Sequence, residues 1–247
     1  MHPILFQIGN LTFYTHGVVA VLGIFSGSLL AYFLARRNHL EVTYFFDNIV
    51  FTVLFGIIGA RLAYFILYYD QFSKFTDLFK LWEGGLVSYG GIIFGALTFY
   101  LLSKAQKQPR AKWLDVMSIG FFLGFCLGRI GEIFAGEWAG VYSDSKILTL
   151  NYLSPVIPIP FYEAVLCLLI AVAGLLVFLK IGDKLKSGLI FWGSIAAYSL
   201  VRFFIDFWRD DTYLFLNISF GQFFGALVFL LSTYMFMKII KSRNNNG

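Results

Sequence analysis

Three arginines interrupt stretches of sequence that are otherwise apolar. Arg61, Arg129 and Arg202 are what remains of the 19 lysines and arginines once those between the apolar runs are set aside. An arginine at mid-membrane costs at least about 2.5 kcal/mol on insertion scales, so each should face a protein interior and have a partner. Partners are spaced for the purpose. Glu132 stands three residues after Arg129, and Arg202, Asp206 and Arg209 follow at i, i+4 and i+7, which is one face of a helix. Glu137 and Glu163 add carboxylates at either end of the long connection between them. Guanidinium groups held in place by carboxylates suit an anionic phosphate, whose oxygens they bind two at a time. A single buried arginine also reads as a structural ion pair or a snorkelling side chain, and three together favour a site.

The elements that must position these groups are membrane helices. Hydrophobic residues make up 59% of the chain and charged residues 13%, against about 25% charged in an ordinary soluble domain; the mean hydropathy is +0.76. The 247 residues supply roughly seven spans of about 20 residues with short connections. The expectation is an all-α polytopic membrane helix bundle, one integral membrane domain over residues 1–247, with candidate helices near 16–35, 45–69, 85–103, 113–134, 161–180, 188–208 and 219–238. The first apolar stretch has no basic segment before it and no clear cleavage site, so it reads as a retained helix.

Alternate connections hold Arg36 and Arg37; Lys104, Lys107, Arg110 and Lys112; Lys180, Lys184 and Lys186; and Lys238, Lys241 and Arg243. The opposite side holds only Lys74, Lys80, Lys146 and Arg209. The positive-inside rule then puts the N-terminus outside and the C-terminus in the cytoplasm. The net charge of +5 is thus a topology signal, and no nucleic-acid partner is expected. Residues 135–160, with Pro155, Pro158 and Pro160, read as a non-helical external loop or arm, and Lys241 to Gly247 as a solvated end. Cys126 and Cys167 fall in apolar segments and read as small hydrophobes rather than a disulfide or a metal site.

With this topology Arg61, Arg129 and Arg202 precede the outer ends of their helices by about eight, five and six residues, or roughly 8–12 Å at 1.5 Å per residue. All three are placed in the outer leaflet. Glycines gather at the same level: the run Trp82-Glu83-Gly84-Gly85-Leu86-Val87-Ser88-Tyr89-Gly90-Gly91 allows irregular backbone or close helix approach, and Gly124, Gly128 and Gly131 let a neighbour approach Arg129.

The segment Gly128-Arg129-Ile130-Gly131-Glu132-Ile133-Phe134-Ala135-Gly136-Glu137-Trp138-Ala139-Gly140 resembles the signature of the phosphatidylglycerol:prolipoprotein diacylglyceryl transferases of bacterial membranes, Gly-Arg-(Ile/Leu)-Gly-Asn-Phe-(Ile)-Asn-Gly-Glu and a short step to Gly. Further matches run through Gly59-Ala60-Arg61, Trp82 to Gly91, Tyr162-Glu163, Tyr198 to Arg209 and Ile218-Ser219-Phe220-Gly221-Gln222, so the resemblance covers nearly the whole chain. It implies transfer of a diacylglyceryl group from phosphatidylglycerol to the lipobox cysteine thiol of a preprolipoprotein signal peptide, with release of glycerol 1-phosphate. The implied setting is the bacterial cytoplasmic (inner) membrane, with the active site facing the outer leaflet. By similarity Arg129 and Arg202 hold the phosphate and stabilise charge as the carbon–oxygen bond breaks, and Glu137 orients an arginine or a lipid hydroxyl. Arg61, Glu132, Gly136, Gly140, Glu163, Asp206 and Arg209 are expected to line the substrate site. No metal or soluble cofactor is implied.

Two departures bear on the chemistry. Tyr89 stands where the family carries a histidine that is a candidate base, and a phenol is a poor base at neutral pH. His16 stands where the family usually has tyrosine. The expectation is that the two have exchanged places across one cavity. The alternative leaves His16 as an interfacial histidine and Tyr89 as an aromatic anchor in a phospholipid-binding relative with lost or altered chemistry. Glu132 and Ala135 replace signature asparagines. An anion transporter would also use buried arginines, but it needs a polar path through both leaflets, and Asp47 and Asp115 near the cytoplasmic boundary are too few to make one.

Overall fold

The computed structural model of the protein describes residues 3–9, 11–72, 74–80, 85–137, 140–149, 156–209, 213–215 and 218–244. In chain order its elements are β1 (Ile4–Ile8), β2 (Leu11–Tyr14), α1 (Thr15–Arg37), α2 (Val42–Leu67), α3 (Ser88–Ala105), α4 (Arg110–Ala135), α5 (Ile159–Ile181), α6 (Leu189–Ile205), β3 (Tyr213–Phe215), β4 (Ile218–Ser219) and α7 (Phe220–Asn244). The strands form two short antiparallel hairpins. Among the described residues six helices are long and apolar enough to cross a membrane, and α3 is a shorter apolar helix. Phe25, Ile66, Leu169 and Leu230 are each more than 60% exposed, which water would not tolerate on this scale and lipid does. The chain is a multi-pass, all-α membrane protein.

Several helix ends differ from expectation by three residues or more, among them the start of the third helix and the end of the seventh. The third helix begins at Ser88, not 85, because Gly85 adopts the left-handed conformation at φ +79° and Val87 is extended. The seventh helix continues to Asn244, so residues 241–244 are helical and not a loose end. Lysines are good helix formers and their charge is favourable near a helix C-terminus. Trp82, Glu83, Gly84, Trp138, Ala139, Pro155 and residues 245–247 lie outside the described residues.

The chain groups into two compact units, Met1–Leu34 with Ala111–Gly247, and Ala35–Arg110. In the first, α1 and α4 run antiparallel along a glycine seam. Gly23 lies against Gly124 and Gly27 against Gly120, and a Cβ on any of the four would press into the carbonyl of its partner. Each helix contributes glycines four residues apart, the spacing that allows close approach in membranes. The same register sets the backbone of His16 beside Gly131. Gly128, expected in this seam, meets nothing within 4 Å. Helix α5 packs on α4 through Phe122, Cys126, Ala164, Cys167, Ile170 and Ala171, and both cysteines are free and buried. At the lysine-bearing end of α4 the carboxylate of Asp115 accepts the N–H of Gly188 at 2.6 Å and of Phe191 at 2.8 Å, which caps the start of α6 from a neighbouring helix.

The described parts of the connection after α4 are non-helical. Gly140 pairs with Arg209 and Tyr142 with Val156 in isolated antiparallel bridges, and the helix resumes at Ile159 with a proline in its first turn, where a missing N–H is harmless. In the second unit α2 and α3 also run antiparallel on glycines, Gly56 and Gly59 facing Gly91 and Gly90. The N–H of Asn48 Nδ2 donates to Tyr44 Oη at 2.7 Å, which in turn lies 2.5 Å from Ser103 Oγ.

Backbone contact along the α1–α4 seam leaves no room to relax. Gly27→Ala or Gly120→Ala should cost about 1–3 kcal/mol by overpacking, a fall of several degrees in the thermal midpoint at roughly 2–4 °C per kcal/mol for a chain of this size. Gly128→Ala faces open space and should leave the midpoint unchanged or raise it. Thermal unfolding of the three variants in detergent is the measurement, and equal effects would contradict the seam.

Candidate functional site

The site grows from one buried carboxylate. Glu163 is the fifth residue of α5 and its side chain is 0% exposed. Its Oε2 lies 2.9 Å from Arg129 Nε on α4, and its Oε1 lies 2.9 Å from Arg202 Nη1 on α6. One anion therefore bridges two guanidinium groups. These approaches are close without the alignment of hydrogen bonds, so their attraction is mainly Coulombic, and it is strong because solvent is excluded.

Each arginine has a second carboxylate. Arg129 Nη1 donates to both oxygens of Glu132, at 2.8 and 2.7 Å, and its guanidinium lies 4.8 Å from the ring centroid of Phe125, a cation–π contact. Phe122 and Phe125 pack in turn on Tyr198. Arg202 Nη1 lies 2.7 Å from Asp206 Oδ1, and the Asp206 side chain is also 0% exposed. Ser219 Oγ donates to Asp206 Oδ2 at 3.4 Å. Ser219 and Gln222 exchange hydrogen bonds, Ser219 N–H to Gln222 Oε1 at 3.0 Å and Gln222 N–H to Ser219 Oγ at 3.1 Å. This reciprocal cap starts α7 and sets its positive dipole end beside Asp206. Gly221 is glycine because the Asp206 carboxylate occupies the place of a Cβ.

A second polar pair forms at the same end of α4. The helix closes with Gly136 N–H donating to the Ile133 carbonyl at 3.1 Å and Glu137 N–H to the Glu132 carbonyl at 2.9 Å, with Gly136 at φ +85°. That is a Schellman ending, which needs a left-handed residue. It turns Glu137 back toward the first turn of α1, where its Oε2 lies 3.1 Å from His16 Nδ1. The other ring nitrogen, Nε2, has no partner among the described residues. Both side chains are partly exposed, at 38% and 57%.

The structure thus brings together Arg129, Glu132, Glu163, Arg202 and Asp206, and separately His16 and Glu137, within one unit. Arg209 departs from the expected helical face: residues 206–208 form a 3-10 turn and Arg209 is extended, at φ −93° and ψ 140°, in a bridge with Gly140. Gly140 has no room for a side chain because the Ile157 carbonyl fills the place of its Cβ, so this glycine and Gly136 act through the backbone. Arg61 belongs to the other unit and is engaged there: Nε donates to the Leu78 carbonyl at 3.0 Å, Nη1 to Gly85 at 3.1 Å, and Nη2 to Asp77 at 2.7 Å and Lys80 at 3.0 Å. It holds the segment between α2 and α3. Tyr89, second residue of α3, is exposed in that same unit. Sequence reading missed Phe125 and the Ser219–Gln222 support of Asp206, although Ser-x-x-Gln before an apolar run is a legible helix-start pattern.

A paired-guanidinium site, framed by buried carboxylates at one end of a multi-pass helix bundle, defines a membrane protein built around an anionic group. Residues 3–238 match the family model described as prolipoprotein diacylglyceryl transferase. A Clostridium botulinum phosphatidylglycerol–prolipoprotein diacylglyceryl transferase is 30% identical over 255 residues, covering 98% of each chain. A Wolbachia pipientis protein of the same name is 30% identical over 267 residues, 99% of this chain and 97% of its own. A Clostridium perfringens transferase of that name, numbered 1, is 27% identical over 250 residues, 97% of this chain and 95% of its own. The chain belongs to the prolipoprotein diacylglyceryl transferase family and is a membrane transferase.

Removing the shared anion should be costly. Glu163→Gln leaves two buried guanidinium groups short of a counter-charge and should destabilise by about 3–5 kcal/mol, whereas Glu137→Gln, at an exposed pair, should change stability by less than about 1 kcal/mol. Comparison of thermal midpoints in one detergent checks both, and an indifferent Glu163 would mean that the bridge does not hold the bundle.

Proposed function

We propose that the protein transfers the diacylglyceryl group of phosphatidylglycerol to the thiol of a lipobox cysteine in a preprolipoprotein signal peptide, releasing glycerol 1-phosphate, at the outer leaflet of a bacterial cytoplasmic (inner) membrane. The names of its relatives supply donor and acceptor. The observation that carries the reading in this chain is the bridging of Arg129 and Arg202 by Glu163, which fixes two guanidinium groups side by side. The basic residues cluster at the opposite end of the helices, and the positive-inside rule then supports an outward-facing site with the N-terminus outside.

The lipid phosphate binds at the unengaged edges of the two arginines: among the described residues Nη2 of neither donates a hydrogen bond. His16 takes the thiol proton on Nε2. Glu137, held on the Nδ1 side, keeps the ring oriented, as a carboxylate does in acyl-transfer triads. The sulfur attacks the glyceryl carbon bonded to the phosphate oxygen. A carbon–sulfur bond forms, the carbon–oxygen bond breaks, and the electron pair departs on the phosphate, whose developing charge faces Arg129 and Arg202. The proton on His16 passes to the glycerol 1-phosphate or to water. Tyr89 belongs to this reading as the residue found in place of the family's usual histidine.

Transfer from radiolabelled phosphatidylglycerol to a synthetic lipobox peptide by the purified protein tests the reading. The wild type should transfer label. His16→Phe should lose about 10²–10⁴-fold, the contribution of a positioned base, and Glu137→Gln a smaller part of it; Tyr89→Phe should retain most activity; Arg129→Ala should be inactive. A wild type that binds phosphatidylglycerol and transfers nothing, or a fully active His16→Phe, would defeat the proposal.

A further inference from the structure

The three carboxylates around Arg129 and Arg202 are not equivalent. Glu163 is fully buried and touches both guanidinium groups. Asp206 is fully buried and braced by Ser219 and the backbone at Gly221. Glu132 is a third carboxylate on this pair of arginines, and it is held differently. Its side chain is 17% exposed, and among the described residues Arg129 is its only side-chain partner. It presents two oxygens to Nη1, as a phosphate presents two oxygens to a guanidinium.

With Glu132 in place on Arg129, a phosphodiester would bring a further negative charge into a poorly solvated site, where uncompensated charge is heavily penalised. If Glu132 turns away as the phosphate arrives, the monoanion replaces it charge for charge. Only side-chain torsions need to change, because the Glu132 carbonyl is fixed by the helix ending at Glu137.

We infer that Glu132 is a displaceable counter-anion: it occupies Arg129 Nη1 in the empty site, yields to the phosphate of the lipid, and returns to help expel the phosphate product. This rests on the phosphate-binding reading above. It makes Glu132 a determinant of headgroup affinity and of product release. A phosphomonoester carries more charge than the diester it came from and would otherwise hold both arginines more firmly, so a carboxylate one turn away favours its departure.

In mixed micelles of detergent and phosphatidylglycerol, KM, kcat and the inhibition constant of glycerol 1-phosphate are measured for the wild type, Glu132→Gln, Glu132→Asn and Arg129→Lys, with thermal midpoints recorded for each. Both Glu132 variants should show KM lowered about fivefold and glycerol 1-phosphate inhibition tightened roughly tenfold, with kcat unchanged or lower and midpoints near wild type. KM and inhibition unchanged or weakened in both, or loss of the thermal transition in both, would make Glu132 a fixed brace and overturn the inference. If Arg129→Lys leaves glycerol 1-phosphate inhibition at the wild-type value, the phosphate site itself is misplaced and the inference falls with it.

Discussion

Everything at the functional end of the larger unit depends on Glu163. A carboxylate with no solvent contact is tolerated only where opposite charges surround it, and here those charges come from α4 and α6, far apart in sequence. Once Glu163 is buried, Arg129 and Arg202 must converge on it, and Arg202 brings Asp206 and the capped start of α7. One chain of polar contacts thus fastens four helices. At the other end of α4 Asp115 fastens the start of α6. Asp115 and Arg129 are separated by roughly 21 Å of helix at 1.5 Å per residue, and the buried cluster between them is Phe122, Cys126, Cys167 and their apolar neighbours. An apolar middle fits a site open at one membrane face better than a transport path.

The second ingredient, His16, is delivered without any charge. Helices in lipid gain little from apolar burial against one another, so close packing of small residues sets their register. The Gly23–Gly124 and Gly27–Gly120 contacts fix how far α1 slides along α4, and that places His16 at the turn of α4 between Arg129 and Glu132. Gly136 then returns Glu137 to the imidazole. Three backbone features, none of them chemical, bring together a histidine and a carboxylate 121 positions apart.

How much of this the sequence reveals follows from the range of each interaction. Arg129 with Glu132 and Arg202 with Asp206 are one turn apart on their helices and are legible from spacing alone. Arg209 is misread by the same rule, because a 3-10 turn after Ile205 ends the helical periodicity. The carboxylate of Glu163 is visible as a charge near a helix start, but its double partnership requires knowing which helices are neighbours. The His16–Glu137 contact is invisible for that reason too. Arg61 shows the limit of the sequence: an arginine inside an apolar helix reads identically whether its donors meet phosphate oxygens or, as here, four backbone carbonyls.

Folding and the proposed phosphate binding make opposing demands on Arg129 and Arg202. Insertion into the bilayer requires that their charge be neutralised within the protein, whereas binding an anion requires that positive charge remain on offer. Guanidinium geometry reconciles the two, since five N–H groups are distributed over three nitrogens and one carboxylate cannot engage them all. Glu163 and Asp206 meet the arginines at Nε and Nη1, which satisfies the folding requirement at one edge of each planar group. The remaining nitrogens keep a share of the delocalised charge, and among the described residues only Nη1 of Arg129 is taken, by Glu132. A lysine in either place would concentrate its charge in a single ammonium already facing the buried carboxylates and would present no second edge to a phosphate. Burial and anion recognition are compatible here because the cation is planar and the framework carboxylates approach it from one side.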